Sequence, residues 1–128
     1  MIYADTSALA KLVVAEAETP ALRRWIAEQS APLVTNSIGV VELRRLAAQV
    51  SRQAVDTATL LLGRIDRLVL TPTALALAGQ LPPAEVRTLD ALHIASAAEL
   101  VELQVVLTYD RRMAEAAAGY GLPVESPK

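Results

Sequence analysis

Short, almost wholly apolar segments alternate along this chain with longer segments in which apolar residues recur at helical spacing. Residues 1–5, 31–35 and 105–107 are the clearest of the short segments. A strand that lacks a polar face must be covered on both sides, as in the parallel sheets of α/β proteins. The alternation therefore predicts a three-layer α/β/α fold around a parallel sheet.

The same pattern assigns the individual elements. It predicts helices at residues 8–15, 19–28, 37–50, 53–66, 73–79, 88–103 and 111–118. It predicts strands at residues 1–5, 31–35, 68–70 and 105–107, with 122–124 as a last edge strand. Because the chain has 128 residues and shows no repeat, linker or low-complexity tract, we expect a single domain over residues 1–128.

Composition excludes several classes of protein. Hydrophobic residues make up 53% of the chain and charged residues 20%, which excludes a disordered protein. There is no cysteine, so disulfides and thiolate chemistry are excluded. No apolar run reaches the roughly 18 residues of a membrane span, and residues 1–5 do not resemble the start of a signal peptide. We therefore expect a cytoplasmic protein with no membrane partner, and the net charge of −2 argues neither for nor against nucleic acid.

Two acidic residues directly follow predicted strands. Asp5 ends the first strand, and Asp110 comes shortly after the strand at residues 105–107. Ligands of open α/β sheets bind outside the carboxyl ends of the strands, which is where these two side chains would lie. Both residues also precede helices, where aspartate is a favoured N-cap, so each alone has an ordinary structural explanation.

Two further acidic residues lie within predicted helices, beside apolar residues. Asp90 shares a helix face with Ile94 and Val101, and a carboxylate on such a stripe is costly unless it is paired, hydrogen-bonded or bound to metal. The alternative is an acid that is favoured near a helix N-terminus by the helix dipole. Glu42 lies at the edge of an apolar face, and an ordinary boundary glutamate paired with Arg45 remains open for it.

Taken together, the four acids indicate a metal site. With no cysteine, a single histidine and no glycine-rich phosphate loop, the sequence offers few other chemical tools. Converging carboxylates bind Mg²⁺ or Mn²⁺ through oxygen, and such a metal activates water and stabilises charge on a phosphodiester. Carboxylates in one pocket also repel each other, so we expect raised pKa values in the metal-free protein.

Four segments carry these acids: Met-Ile-Tyr-Ala-Asp-Thr-Ser-Ala-Leu at 1–9, Val-Glu-Leu-Arg-Arg at 41–45, Leu-Asp-Ala-Leu-His-Ile-Ala-Ser-Ala at 89–97 and Leu-Thr-Tyr-Asp-Arg-Arg-Met at 107–113. In order and spacing they resemble the motifs of the PIN-domain family, in particular the VapC toxins of bacterial toxin–antitoxin pairs. The resemblance spans the whole chain. Each motif alone is weak, whereas the four in sequence are fairly specific.

The resemblance implies a PIN fold and a Mg²⁺- or Mn²⁺-dependent endoribonuclease that acts on RNA. It also implies a cognate VapB-type antitoxin that occupies the site. It assigns the catalytic and metal-binding roles to Asp5, Glu42, Asp90 and Asp110. A homodimer is expected as well, since the helix at 53–66 carries more apolar surface than a one-sided helix needs, through Val55, Leu60, Leu61, Leu62 and Ile65.

Other residues are assigned lesser roles. Ser7 and Thr108 are expected to support the acids by hydrogen bonding to a carboxylate or to metal-bound water. His93 is expected on a helix surface, with a supporting hydrogen bond to the site as the alternative. Four arginines next to the proposed acids are candidate RNA contacts, with solvated surface charge as the alternative for each pair: Arg44, Arg45, Arg111 and Arg112.

Competing functions require other residues. A receiver-like or phosphotransfer domain with an acidic magnesium site would have paired acids after the first strand and a lysine after a late one, but the only lysines are Lys11 and Lys128. A haloacid-dehalogenase-type phosphatase would have a second aspartate where Ser7 stands. A non-enzymatic PIN-like binding module, with the acids as helix caps, stays open. Metal-dependent RNA cleavage separates the enzyme from the module.

Overall fold

A single parallel sheet organises the protein, which is described for residues 1–128 by a computed structural model. Its five strands are β1 (Ile2–Ala4), β2 (Leu33–Asn36), β3 (Asp66–Leu68), β4 (Val105–Leu107) and β5 (Val124–Glu125). Their order in the sheet is β3-β2-β1-β4-β5, and every pair is parallel. The strand order changes direction at β1, so the crevice beside its carboxyl end is the expected place for a ligand.

Helices cover both faces of this sheet. They are α1 (Thr6–Val13), α2 (Thr19–Ala27), α3 (Ser37–Val50), α4 (Arg52–Leu62), α5 (Pro72–Gln80), α6 (Thr88–Ala98) and α7 (Arg111–Gly119). None of them is both long and apolar enough to cross a membrane. The expected three-layer α/β/α architecture is confirmed.

The two faces of the sheet carry separate cores because side chains alternate along each strand. In β1, Ile2 and Ala4 belong to one core, in which Leu43 of α3 is also fully buried. Tyr3 belongs to the other core, together with Ile94 of α6. All three residues of β1 are inaccessible to solvent, which explains why this strand has no polar face.

Two predicted boundaries on one side of the sheet were wrong. Helix α4 ends at Leu62, four residues before the predicted end, and β3 spans 66–68 rather than 68–70. Asp66 and Arg67 are exposed, because β3 is an edge strand of the sheet. A search for apolar segments does not detect a strand with exposed polar residues. The apolar segment at 68–70, which overlaps the end of β3, was therefore predicted as the strand instead.

The predicted end of α6 was also wrong. The helix stops at Ala98 and the chain turns, so that Leu100 and Leu103 reach the second core from a turn rather than from a helix. Val101 is fully exposed and does not share a helix face with Asp90. Apolar residues at helical spacing therefore extended the predicted helix beyond its true end.

Three helices start directly at the carboxyl edge of the sheet. Asp5 caps α1 by accepting from Ala8 N at 3.0 Å, and Asp110 caps α7 by accepting from Met113 N at 3.1 Å. Asn36, the last residue of β2, caps α3 in the same way. Capping side chains of this kind typically contribute about 1 kcal/mol each. The polar ends of these elements are thereby gathered at one edge of the sheet.

Gly39 allows α3 to lie very close to its neighbours. A Cβ atom at this position would stand 2.3 Å from Thr35 Oγ1 and 3.3 Å from His93 Cε1. Thr35 is β-branched and fully buried, so its hydroxyl cannot move aside without repacking. The absence of a side chain at residue 39 is therefore a packing requirement.

We expect Gly39→Ala to lower the free energy of unfolding by about 1–3 kcal/mol, the usual cost of overpacking a core. Gly79→Ala in α5 is the matched control, because a Cβ there meets nothing within 4 Å. The control should raise the free energy of unfolding by up to about 1 kcal/mol through reduced backbone entropy. Urea unfolding followed by circular dichroism measures both changes. Similar effects of the two substitutions would contradict the close approach at Gly39.

Candidate active site

The four acids selected from the sequence line one cleft at the carboxyl edge of the sheet. The cleft has a volume of about 320 Å³ and only one hydrophobic lining residue. Two of the acids cap helices at the ends of β1 and β4, and the other two project from α3 and α6. The lining residues are Asp5, Thr6, Ser7, Glu42, Arg87, Thr88, Leu89, Asp90, His93 and Asp110.

Asp5 is the most deeply buried of the four acids, with 4% of its surface exposed. Its Oδ1 accepts from Ser7 Oγ at 2.6 Å and Ala8 N at 3.0 Å, and its Oδ2 accepts from Thr108 Oγ1 at 2.5 Å. Burial raises the pKa of Asp5 above its ordinary value, although the hydrogen bonds from Ser7, Thr108 and Ala8 oppose the rise. The carboxylate is thus fixed in one orientation by three donors.

The hydroxyls of Ser7 and Thr108 also connect the ends of two strands. Ser7 Oγ accepts from Tyr109 N at 2.8 Å, and Thr108 Oγ1 accepts from Asp110 N at 3.1 Å. The structure therefore places both side chains against the Asp5 carboxylate and against the loop that carries Asp110. That they support catalysis stays a prediction.

Glu42 reaches the cleft from α3 and is held there by two donors. Its Oε1 accepts from Thr6 Oγ1 at 2.7 Å and lies 2.7 Å from His93 Nε2. Partial burial acts to raise the pKa of Glu42, but the hydrogen bonds from His93 and Thr6 outweigh it and the pKa is lowered. The alternative that Glu42 is a boundary residue paired with Arg45 is not what the structure shows, since Arg45 is exposed and Glu42 is paired with His93.

The expectation that His93 lies on a helix surface was also wrong, because only 2% of its surface is exposed. Helix α6 is buried around most of its circumference between α3, α5, α7 and β2. Its alanines are small enough to permit this close packing, and position 93 consequently faces α3. The burial of α6 on several sides is a tertiary property that the sequence pattern does not show.

Asp90 and Asp110 share a partner that sequence reasoning missed. Arg87 Nε lies 2.9 Å from Asp90 Oδ2, and Arg87 Nη2 lies 2.7 Å from Asp110 Oδ2. Burial acts to raise the pKa of Asp110, but hydrogen bonds from Met113 N and Arg87 outweigh it and lower the pKa. The three-residue spacing between Arg87 and Asp90 was a signal for the first contact. Nothing in the local sequence indicated the second contact.

The mutual repulsion expected from the sequence is therefore not what shifts the pKa values of Asp5, Glu42 and Asp110. The pKa of Asp5 is raised, and the main cause is burial rather than a neighbouring carboxylate. Glu42 and Asp110 each have their own donors, which lower their pKa values. Charge in the cleft is compensated residue by residue.

The donor types of the cleft fit a divalent cation, since carboxylate oxygens are the ligands that Mg²⁺ and Mn²⁺ prefer. As the side chains are arranged, no three of the histidine and acidic residues stand close enough together to hold one ion. The guanidinium of Arg87 takes the place of a cation between Asp90 and Asp110. Its side chain is 52% exposed, so it is free to turn outward when a cation enters.

None of the four arginines considered for RNA binding lines the cleft, and three of them have no special environment. Arg44 and Arg45 are exposed on α3, and Arg111 pairs with Glu115 at 3.0 Å. Arg112 differs, because together with Asp90 it borders an adjoining cleft of about 340 Å³. Contact of these arginines with RNA stays a prediction.

Comparison with known proteins identifies the family. A sequence profile described as PIN domain matches residues 2–119. The chain belongs to the PIN-domain family. Ribonuclease VapC47 of Mycobacterium tuberculosis is 40% identical over 132 residues, covering 99% of this chain and 97% of that protein. Ribonuclease VapC46 of the same species is 39% identical, with 98% and 97% of the two chains covered.

Solved structures share the PIN fold over the same length. VapC20 of Mycobacterium tuberculosis, described as a sarcin-ricin loop cleaving toxin, has a TM-score of 0.76 at 21% identity, with both chains fully covered. VapBC-1 from nontypeable Haemophilus influenzae has a TM-score of 0.74 at 16% identity, with 98% of each chain covered. The resemblance to PIN-domain and VapC proteins inferred from the four motifs is confirmed.

Arg87→Ala should increase the affinity of this PIN-domain protein for Mg²⁺, because the cation no longer competes with the guanidinium for Asp90 and Asp110. We expect a dissociation constant about two- to fivefold lower, the scale of one exposed ion pair. In EDTA the variant should melt at a lower temperature than the wild type, because two carboxylates lose their partner. Isothermal titration calorimetry and thermal melts measure the two effects.

Arg52→Ala is the matched control for this substitution. Arg52 pairs with Asp56 at 3.4 Å on the exposed side of α4, away from the cleft. Its removal should leave the Mg²⁺ affinity unchanged. An unchanged or weaker Mg²⁺ affinity in Arg87→Ala would mean that the guanidinium does not occupy the cation's place.

Proposed function

We propose that this protein is an endoribonuclease that uses Mg²⁺ or Mn²⁺ and is the toxin of a VapBC-type toxin–antitoxin pair. The observation that carries the proposal is the four-acid cleft at the carboxyl edge of a PIN fold. Support comes from relatives called Ribonuclease VapC that are 34–40% identical to this chain over nearly its whole length. The proposed substrate is RNA.

The residues of the cleft divide into a fixed part and an exchangeable part. Asp5 is held by three donors and Glu42 by two, so their carboxylates keep their orientation whether or not a cation is present. Asp90 and Asp110 are held only by the half-exposed Arg87 and, for Asp110, by a backbone amide. We assign Asp5 and Asp90 as the most direct metal ligands, with Glu42 and Asp110 completing the acidic set.

When bound, a divalent cation supplies an activated water and neutralises charge on the phosphodiester. The chain's own residues prepare that chemistry in two ways. Ser7 and Thr108 keep Asp5 from rotating, and the buried wall behind it excludes bulk water from one side of the cleft. Arg112 borders the adjoining cleft and is the best placed of the four arginines to contact an RNA phosphate.

The partner proposed for the toxin is a VapB-type antitoxin that occupies the acidic cleft, and we propose an apolar groove lined by α1, α2 and α4 as a second seat for it. The groove has a volume of about 530 Å³ and eight hydrophobic lining residues, among them Leu12, Ile26, Leu60 and Ile65. The existence of such a partner is supported by solved VapBC assemblies with the same fold. The apolar surface of α4 is smaller than the sequence suggested, however, because Leu62 of that helix is buried in the core.

Leu60→Asp should abolish co-purification with the cognate VapB-type antitoxin, because Leu60 is 63% exposed and lines the groove. Val69→Asp is the control, since Val69 is 77% exposed but does not line the groove. We also propose a homodimer, and the wild type and Val69→Asp should both sediment as dimers at micromolar concentration. Sedimentation of the wild type as a monomer would contradict the dimer. Retention of the antitoxin by Leu60→Asp would contradict the groove as its seat.

The test of the activity is cleavage of a mixture of tRNA and ribosomal RNA by the purified protein, with Mg²⁺, with Mn²⁺ and with EDTA. Cleavage should require a divalent cation. Asp5→Asn and Asp90→Asn should each lower the rate by more than about 100-fold, beyond what loss of an outer-shell partner typically costs. Asp5→Asn keeps the oxygen that caps α1, so the variant should remain folded.

Asp56→Asn on the exposed side of α4 is the matched acidic control and should cleave at the wild-type rate. Cleavage that persists in EDTA, or that survives both cleft substitutions, would refute the metal mechanism. Binding of RNA without cleavage under all three conditions would favour the non-enzymatic binding module.

A further inference from the structure

A line of buried polar contacts runs from the second core to Glu42 and is not explained by metal binding alone. The hydroxyl of Tyr3 lies 2.7 Å from His93 Nδ1, and His93 Nε2 lies 2.7 Å from Glu42 Oε1. Tyr3 is fully buried and His93 is 2% exposed, whereas Glu42 opens into the cleft. His93 is the only histidine of the chain, and both of its ring nitrogens are engaged.

We propose that His93 is a positioning residue: Tyr3 holds its ring in the tautomer with the proton on Nε2, and that N–H orients the Glu42 carboxylate for a divalent cation. The proposal rests on the proposed function in one respect, namely that Glu42 belongs to the metal-binding acids. It adds Tyr3 and His93 to the residues on which that site depends.

The direction of each hydrogen bond follows from the groups involved. A carboxylate can only accept, so the contact with Glu42 requires a proton on His93 Nε2. In a neutral ring the other nitrogen, Nδ1, is then an acceptor, and the Tyr3 hydroxyl is the donor that faces it.

The consequence for Glu42 is a one-sided arrangement of donors. Both Thr6 Oγ1 and His93 Nε2 bind the same oxygen, Oε1. Two donors from different helices on one oxygen fix the rotation of the carboxylate. The other oxygen, Oε2, accepts no hydrogen bond from the protein and remains available for a cation in the cleft.

Packing alone does not account for a histidine at this position. Burying a polar ring costs free energy unless both nitrogens find partners, and an apolar side chain would fill the same space without that requirement. The fold also makes room for the ring, since His93 Cε1 lies against the bare Cα of Gly39. A role in orienting Glu42 explains both why a histidine is buried here and why residue 39 is a glycine.

The first test is long-range ¹H–¹⁵N NMR of the metal-free protein in EDTA at neutral pH, where the single histidine gives one set of ring signals. We expect the Nε2–H tautomer in the wild type. In Tyr3→Phe, where the donor to Nδ1 is lost, we expect a mixture of tautomers. A ring protonated on Nδ1, or on both nitrogens, in the wild type would overturn the proposal, and this readout does not depend on activity.

The second test is the dissociation constant for Mg²⁺ alone, measured by calorimetry. His93→Leu should weaken Mg²⁺ binding by about 10- to 100-fold, the usual effect of losing an outer-shell partner. Tyr3→Phe should weaken it by a smaller factor, set by the fraction of the ring that leaves the Nε2–H tautomer. His93→Gln keeps an N–H within reach of Glu42 and should restore most of the affinity. Tyr3→Phe preserves the shape of the core, so it still tests the positioning role if His93→Leu fails to fold.

Thr19→Val is the control for a purely structural effect. Thr19 is 5% exposed and its hydroxyl donates to Lys11 O at 2.8 Å, far from the cleft. This variant should melt at a lower temperature than the wild type yet bind Mg²⁺ with wild-type affinity. Wild-type affinity in both His93→Leu and Tyr3→Phe would refute the positioning role while leaving RNA cleavage untouched. Conversely, Mg²⁺ binding that depends on His93 in a protein that cleaves no RNA would refute the proposed function alone.

Discussion

A carboxylate buried between two central strands has to be matched by donors, because an unpaired charge in a protein interior costs several kcal/mol. Asp5 is in this position, and two of its three donors come from the first turn of α1, while the third, Thr108, directly follows β4. The same contacts fix the starting point of α1 and the path of the loop toward Asp110. The arrangement of the whole carboxyl edge therefore depends on how one buried charge is satisfied.

Compensation of charge extends from Asp5 to the rest of the cleft, and it differs from one acid to the next. Neutral donors hold Asp5, a histidine and a threonine hold Glu42, and an arginine spans Asp90 and Asp110. Asp5 is buried and Glu42 is half-buried with two donors on one oxygen, whereas the side chain of Arg87 is half-exposed. The cleft thus combines a part whose carboxylates are held by interior donors with a part whose partner reaches solvent.

Sequence reasoning found the buried strands and the four acids because both depend on local properties. A strand that is apolar on both faces, such as β1, indicates a parallel sheet covered by helices on both sides. An acidic residue directly after such a strand lies at the carboxyl edge of the sheet. The other two acids, Glu42 and Asp90, were indicated by their positions beside apolar helix residues, and the family resemblance joined all four into one site. The sequence could not predict features that depend on tertiary packing. These are the polar edge strand β3, the burial of His93, and the contact between Arg87 and Asp110, which are 23 residues apart. Those features follow from which helix faces meet, and no window of sequence contains that information.

The distance along the chain between Asp5 and Thr108 has a consequence for how the protein is made. These residues are separated by 103 positions, so the last donor of Asp5 is synthesised long after Asp5 itself. β1 likewise waits for β4 to pair with its second side. A nascent chain on the ribosome consequently has no assembled cleft until most of the sequence has emerged.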